Sequence, residues 1–228
     1  ARHALCLLQV GDTLWAGFSD AMIRVFNCTT FDLVRELQAH VGDVCSLSGH
    51  RQMVASGGAD GCIRLWDVDA FTCVRTLSGH TGRVQTVLTD GAAVYSGSGD
   101  CTVLVWSAVT GQQLKCLAGH EATVRALLRT PRFLWSGAAD CTVKIWDLET
   151  GSCLNTLEGH VEPVMKMALL GDQVWTAGQD GIKVWKEDGT PVGKSSGRAP
   201  GPPVDMQCVP CSQKFKVWVA REDGIEIC

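Results

Sequence analysis

Histidine, serine and aspartate are the side chains of acyl-transfer chemistry, and this chain presents them as His80, Ser96 and Asp100. An imidazole set between a hydroxyl and a carboxylate can take the hydroxyl proton and turn the oxygen into a nucleophile. The set recurs, however. His40 precedes Ser56 and Asp60, His120 precedes Ser136 and Asp140, and His160 precedes Thr176 and Asp180. Each copy ends on an indole: Trp66, Trp106, Trp146 and, one residue early, Trp185. The histidines and aspartates advance in steps of 40 residues, the period of a structural repeat. Four copies cannot all serve one reacting centre, so no catalytic residue is assigned.

The elements that must hold these side chains are short strands. In the third copy the runs Val84-Gln-Thr-Val-Leu, Ala93-Val-Tyr-Ser-Gly, Thr102-Val-Leu-Val-Trp and Gln113-Leu-Lys-Cys-Leu are apolar or β-branched. Gly91, Gly99-Asp100 and Thr110-Gly111 separate them with turn chemistry, and no segment keeps a helical period. Four antiparallel strands per unit of about 40 residues make a blade whose faces need neighbours. The predicted fold is all-β: a β-propeller of four-stranded antiparallel blades. Aligning on the turn aspartate counts six units. The first carries Asp20, with Ala16 and Phe26 at the hydroxyl and indole positions, and the sixth keeps Asp223-Gly224. Residues 1–228 are expected to form a single propeller domain, a segment of a longer protein whose complete ring has seven blades, with six as the alternative. Residues 193–203, rich in Gly, Ser and Pro, are expected to be a flexible connector between blades.

The chain resembles the WD40-repeat β-propellers through Gly79-His80, Gly119-His120 and Gly159-His160, and through Trp66-Asp67 and Trp146-Asp147. The resemblance implies that each full set forms a hydrogen-bonded chain: His40, Ser56, Asp60 and Trp66; His80, Ser96, Asp100 and Trp106; His120, Ser136, Asp140 and Trp146; His160, Thr176, Asp180 and Trp185. The chemistry agrees, because the carboxylate accepts from one imidazole nitrogen, the hydroxyl bridges, and the indole N–H only donates. It also implies that the loops leading into each blade share a rim with the tight turns. Residues there that stand outside the repeat are the candidates for partner binding: Asp43, Arg83, Gln85, Arg125, Gln179 and Glu222. Positions like those of Arg83 and Arg125 hold phosphate-reading arginines in some WD40 substrate receptors. Aromatic residues five positions before the turn aspartate, Trp15, Tyr95, Trp135, Trp175 and Trp218, are expected to pack between blades.

Charged residues make up 19% of the chain with a net charge of −4, which offers no footprint for nucleic acid or a polybasic membrane surface. The longest apolar runs, such as Val164–Leu170, fall far short of the roughly 20 residues of a membrane span. Twelve cysteines occupy repeat-equivalent places, among them Cys73, Cys101, Cys141 and Cys153, and are expected to be small buried apolar groups in reduced form. Cys208 and Cys211 form one isolated CxxC, so neither a metal nor any other cofactor is expected. The expected function is a non-catalytic protein–protein interaction scaffold that assembles a multiprotein complex through the rim. The alternative is a domain of a ubiquitin ligase that recognises a phosphorylated or acidic motif, or a targeting appendage of a larger enzyme. Partners are expected to be proteins or peptides, with no direct nucleic-acid contact. The expected compartment is the cytoplasm, with the nucleus as second choice.

Overall fold

Strand position within the repeat sets burial. In the third sheet, β9 (Val84–Thr89), β10 (Ala93–Ser98) and β11 (Thr102–Ser107) are mostly buried, and β10 and β11 bury residues pointing to both faces. A strand covered on both sides needs a near-continuous apolar run, as Val103-Leu104-Val105-Trp106 supplies. The fourth strand, β12 (Gln113–Ala118), is an edge and buries only Leu117.

A computed structural model describes residues 3–193 and the backbone of the strands 203–211, 214–221 and 224–227. The chain divides into two compact units, Ala1–Ala118 and Gly119–Cys228. In the first unit, three antiparallel four-stranded sheets follow one another. They are β1–β4 (Ala4–Val10, Thr13–Phe18, Met22–Asn27, Leu33–Gln38), β5–β8 (Val44–His50, Met53–Gly58, Cys62–Asp67, Thr72–Ser78) and β9–β12. The second unit holds one four-stranded sheet, β13–β16 (Val124–Arg129, Phe133–Ala138, Val143–Asp147, Cys153–Leu157). Two three-stranded sheets follow it: β17–β19 (Val164–Leu170, Gln173–Gly178, Gly181–Lys186) and β20–β22 (Pro203–Cys211, Lys214–Arg221, Gly224–Ile227). Strands pair in simple chain order throughout, as short turns require.

Within each unit the first strands of successive sheets lie side by side, and one device recurs between them. The first-strand valine presses into a glycine of the preceding sheet's second strand. A Cβ added at Gly17, Gly57 or Gly137 would stand 2.7, 2.6 or 2.5 Å from a methyl of Val44, Val84 or Val164. Glycine here is required by close approach. The aromatic residues before the turn fill the remaining space. Trp15 stacks on Phe71 of the next sheet at 5.9 Å, and Trp135 joins a cluster with Val164, Val174 and Trp185.

Among the described residues the fifth sheet shows three strands, and β19 meets the segment after it at a single bridge, Trp185 to Pro191. Pro191 has no N–H to extend a ladder, and Gly193 follows two residues later. One expectation needs correction: the cysteines within residues 3–193 are not buried apolar groups. Cys73 and Cys153 are exposed on the outer strands β8 and β16, where the one inward position belongs to Leu77 or Leu157. Cys101 and Cys141 are partly exposed, in the residue after the turn aspartate, with φ of 68° and 65°. All nine cysteines within residues 3–193 are free thiols. The connector residues 194–202 and the sixth unit's Glu222 and Asp223 lie outside the described residues.

That turn position is left-handed in every sheet from the first to the fifth, occupied by Ala21, Gly61, Cys101, Cys141 and Gly181. A side chain there costs about 1 kcal/mol that glycine avoids. Cys101→Gly is therefore expected to raise stability by about 0.5–1 kcal/mol, which urea unfolding would show as a higher midpoint at unchanged m-value. A lower midpoint would mean that the thiol makes contacts worth more than the strain.

Candidate functional site

Each repeated histidine sits in the loop leading into a sheet, its hydroxyl partner on the second strand, its aspartate in the tight turn and its tryptophan on the third strand. Folding brings the four together in every full copy. In the second sheet, His40 Nδ1 lies 2.9 Å from Asp60, His40 Nε2 2.8 Å from Ser56 Oγ, and Trp66 Nε1 2.9 Å from the same oxygen. The third sheet repeats this with His80, Asp100, Ser96 and Trp106 at 2.7, 2.8 and 2.9 Å. His120, Asp140, Ser136 and Trp146 give 2.8, 2.7 and 2.8 Å. His160, Asp180, Thr176 and Trp185 give 2.7, 2.8 and 3.0 Å.

The donors can be assigned from chemistry. The carboxylate only accepts, so Nδ1–H donates to it. Nε2 then accepts the hydroxyl proton, and the hydroxyl oxygen accepts the indole N–H. This order requires neutral imidazole. It also disposes of the catalytic resemblance, because Ser56, Ser96, Ser136 and Thr176 are 0% exposed and no substrate can reach their oxygens.

Each turn aspartate collects further donors. The backbone N–H after the histidine also donates to the carboxylate: Val41 and Val161 reach the second oxygen of Asp60 and Asp180, both at 3.0 Å, whereas Thr81 and Glu121 share the oxygen that the histidine uses on Asp100 and Asp140, at 3.0 and 2.9 Å. A third-strand side chain completes the set: Arg64 at 2.9 Å on Asp60, Thr102 and Thr142 hydroxyls at 2.7 Å on Asp100 and Asp140, and Lys183 at 3.6 Å from Asp180. In the first sheet, which lacks the histidine, Arg24 holds Asp20 through Nη1 and Nη2, at 3.1 and 2.9 Å, and the Met22 amide donates to the same carboxylate at 3.3 Å. Sequence reasoning missed these partners. Their signal was a long cation or a threonine two to four residues past each turn aspartate.

Burial pushes His40, His120 and His160 below the usual imidazole range, against the opposing pull of Asp60, Asp140 and Asp180. For the aspartates, burial would raise the pKa, but it is outweighed. The N–H of Val41 with Arg64 and His40 holds Asp60 low, and the Glu121 N–H with Thr142 and His120 holds Asp140 low. Thr102 with His80 does the same for Asp100, and His160 with the Val161 N–H for Asp180. The signs combine. A histidine with a depressed folded pKa contributes stability above its unfolded value, 6.5, and loses it as pH falls. Each aspartate does the same below 3.8. Stability is thus expected to fall steadily on acidification from pH 7.5, beginning near pH 6.5, as urea midpoints at pH 7.5, 6.5 and 5.5 would show. Greater stability at pH 5.5 than at 7.5 would contradict the neutral-imidazole assignment.

The lead-in loops are fastened to the tight turns by backbone. The amides of Ala59, Gly99 and Ala139 donate to the carbonyls of Asp43, Arg83 and Thr123, each at 2.9 Å. The side chains of these residues therefore stand beside the turn of their own sheet. Arg83 is exposed, but its guanidinium pairs with Asp43 of the preceding sheet. Gln85 is half-buried on β9, and Gln179 is exposed in the turn of the fifth sheet. Arg125 is half-buried on β13, with its Nε enclosed and unpaired among the described residues. Arg83 belongs to the first unit and Arg125 to the second. Among the described residues, no group of three or more His, Cys, Asp or Glu side chains is arranged to hold a metal ion.

Successive antiparallel sheets, four of them pinned by an imidazole-to-indole chain, define a class of propeller-blade repeat proteins. Comparison with protein-family models matches the WD domain, G-beta repeat, over residues 31–67, 71–107 and 111–147. The chain belongs to the WD40-repeat family. Each matched segment opens just before the fourth strand of one sheet and closes one residue past the third-strand tryptophan of the next, Trp66, Trp106 or Trp146. Sequence repeat and structural sheet are thus offset by one strand. A search of curated proteins finds no significant match. WD40 repeats generally mediate protein–protein interaction and scaffolding.

Proposed function

We propose that this chain is a non-catalytic interaction module that assembles a multiprotein complex through the rim formed by its lead-in loops and tight turns. The observation that carries the reading is a division of labour on that rim. The repeated histidines and aspartates there are consumed inside their sheets, whereas several side chains outside the repeat, among them Val41, Val161 and Gln179, are exposed. Val41 and Val161, directly after two of the repeated histidines, are 82% and 78% exposed. In the first unit, the exposed side chain of Val41 together with the charges of Asp43 and Arg83 suits a protein surface with an apolar centre and a polar border. Because the sheets are held by buried chains, such side chains are free to vary without cost to the fold.

The experiment is quantitative co-purification with mass spectrometry, comparing the wild-type protein with Val41→Glu/Arg83→Glu. Loss of specific partners by at least about fivefold is expected, equivalent to roughly 1 kcal/mol or more of binding energy. A control on the opposite turn, Val109→Glu, should leave them bound. Identical partner sets in all three samples would remove the rim from consideration. Recognition of a phosphorylated or acidic motif through Arg83 and Arg125 is the weaker reading, because Asp43 already neutralises Arg83 and Arg125 is half-buried.

A further inference from the structure

The turn that joins the third and fourth strands of a sheet leans on the sheet before it, and between the first two sheets it fills the groove there. Phe71 of that turn stacks on Trp15, with ring centroids 5.9 Å apart, and Val68 joins it against the cluster that holds Trp15 and Val25. Phe71 adopts a left-handed backbone (φ 54°) to reach this place, a conformation unfavourable for a bulky residue. Packing of the ring offsets the strain.

The corresponding groove between the fourth and fifth sheets lacks both groups. The turn of the fifth sheet is one residue shorter: the Lys186 amide donates to the Thr190 carbonyl, whereas the Ser107 and Asp147 amides reach Gln112 and Ser152, one residue further on. Matched onward from Trp66 and Trp185, Glu187 takes the place of Val68, and Gly189 that of Phe71. Gly189 has φ of 87° and lies so close to the fourth sheet that an added Cβ would stand 2.8 Å from Leu157 and 3.0 Å from Ile145. What remains is a cavity of about 550 Å³, a size typical of ligand sites, lined wholly by residues between Arg132 and Asp188.

Its floor is apolar, formed by Phe133 of β14, Ile145 of β15 and Leu154 of β16, which is 52% exposed. Phe133 stands where Thr13 accepts the Trp15 indole N–H in the first sheet at 3.2 Å, and the Trp135 N–H is enclosed without a partner among the described residues. The lip carries three carboxylates, Asp172, Glu187 and Asp188, and among the described residues none of them is in an ion pair. Arg132 is already engaged. Its guanidinium lies over the Phe133 ring, 5.5 Å from the centroid, and its amide donates to Glu187 at 3.3 Å, which ties the two walls together.

We propose that this groove receives an aromatic side chain from a partner polypeptide, with a lysine or arginine beside it in the partner's sequence. Phe71 shows that an aromatic ring fits such a groove in this protein. Burial of the ring on Phe133, Ile145 and Leu154 supplies affinity, as buried aromatic anchors do at interfaces. The carboxylates of Asp172, Glu187 and Asp188 select the neighbouring cation. Strands alternate in direction, so this groove lies at the strand ends opposite the tight turns. It is separate from the rim and does not depend on it.

The test uses the whole chain and a capped, dye-labelled peptide with one tryptophan between two lysines, Gly-Ser-Lys-Trp-Lys-Ser-Gly. Saturable binding by fluorescence anisotropy is expected below about 1 mM, with NMR amide shifts centred on Phe133, Leu154 and Lys186. Alanine in place of the peptide's tryptophan should weaken binding at least about tenfold. Glutamate in place of its two lysines should weaken it about threefold or more. These changes leave the protein untouched, so misfolding cannot imitate them. Leu154→Trp, which plugs the groove from an exposed position, should abolish binding at an unchanged urea midpoint. Equal binding of the alanine peptide, shifts centred on another groove, full binding to folded Leu154→Trp, or no binding up to about 1 mM would each overturn the proposal. Binding of N-acetyltryptophanamide as tight as that of the peptide would overturn the assignment to a polypeptide. The Val41→Glu/Arg83→Glu protein should bind the peptide like wild type, so failure of the rim reading and failure of this one are told apart.

Discussion

Trp146→Ala is expected to lower the unfolding free energy by about 4 kcal/mol. The indole is 1% exposed, so its removal opens a cavity in the fourth sheet and strips the Ser136 hydroxyl of its donor at 2.8 Å. The two losses can be separated. Trp146→Phe keeps most of the volume and removes the N–H, which alone is worth about 1 kcal/mol. Urea denaturation of both variants checks the division. If phenylalanine proves as damaging as alanine, the polar chain outweighs packing at this position, and if both are neutral the chain has no structural role.

Asp140→Ala is expected to cost about 3–4 kcal/mol, the range seen when one partner of a buried pair is removed. The carboxylate receives His120 Nδ1–H at 2.8 Å, the Glu121 amide at 2.9 Å, and the Thr142 amide and hydroxyl at 2.9 and 2.7 Å. Alanine removes the carboxylate that serves all four donors in a half-buried turn, leaving only the Thr142 hydroxyl oxygen, 3.3 Å away, for His120 Nδ1–H. Asp140→Asn retains a carbonyl oxygen for some of them and should recover part of the loss. The variant should also sharpen the acid response. Without Asp140, the main opposition to the burial that disfavours imidazolium at His120 is gone, so its stability should fall more steeply below pH 6.5 than that of wild type. A double-mutant cycle with Trp146→Phe would show coupling if the four side chains act as one network.

The third copy shows how far the sequence could be followed. The runs predicted from Val84, Ala93, Thr102 and Gln113 correspond to β9 through β12 within one residue at each end. They are legible because β-branched runs, glycine turns and a 40-residue period all agree. The cysteines were misread for a reason just as local. Equivalence between repeats marks a shared position but not its burial, and Cys73 and Cys153 share an outer edge. The second partners of the aspartates, such as Arg64 and Thr102, were invisible because a long cation after a turn usually points to solvent. Arg83 looked like a free rim charge, yet Asp43, one repeat earlier in the chain, reaches it.

Local chemistry alone was enough to establish an all-β repeat of the WD40 family, with its period, its turns and the side chains that recur. Those properties depend on neighbours a few residues apart and on a pattern stated several times over. Tertiary structure decided which of the recurring hydroxyls are sealed from solvent and which charges are already neutralised. These depend on what lies beside a residue across strands and sheets, and a linear pattern does not carry that distance.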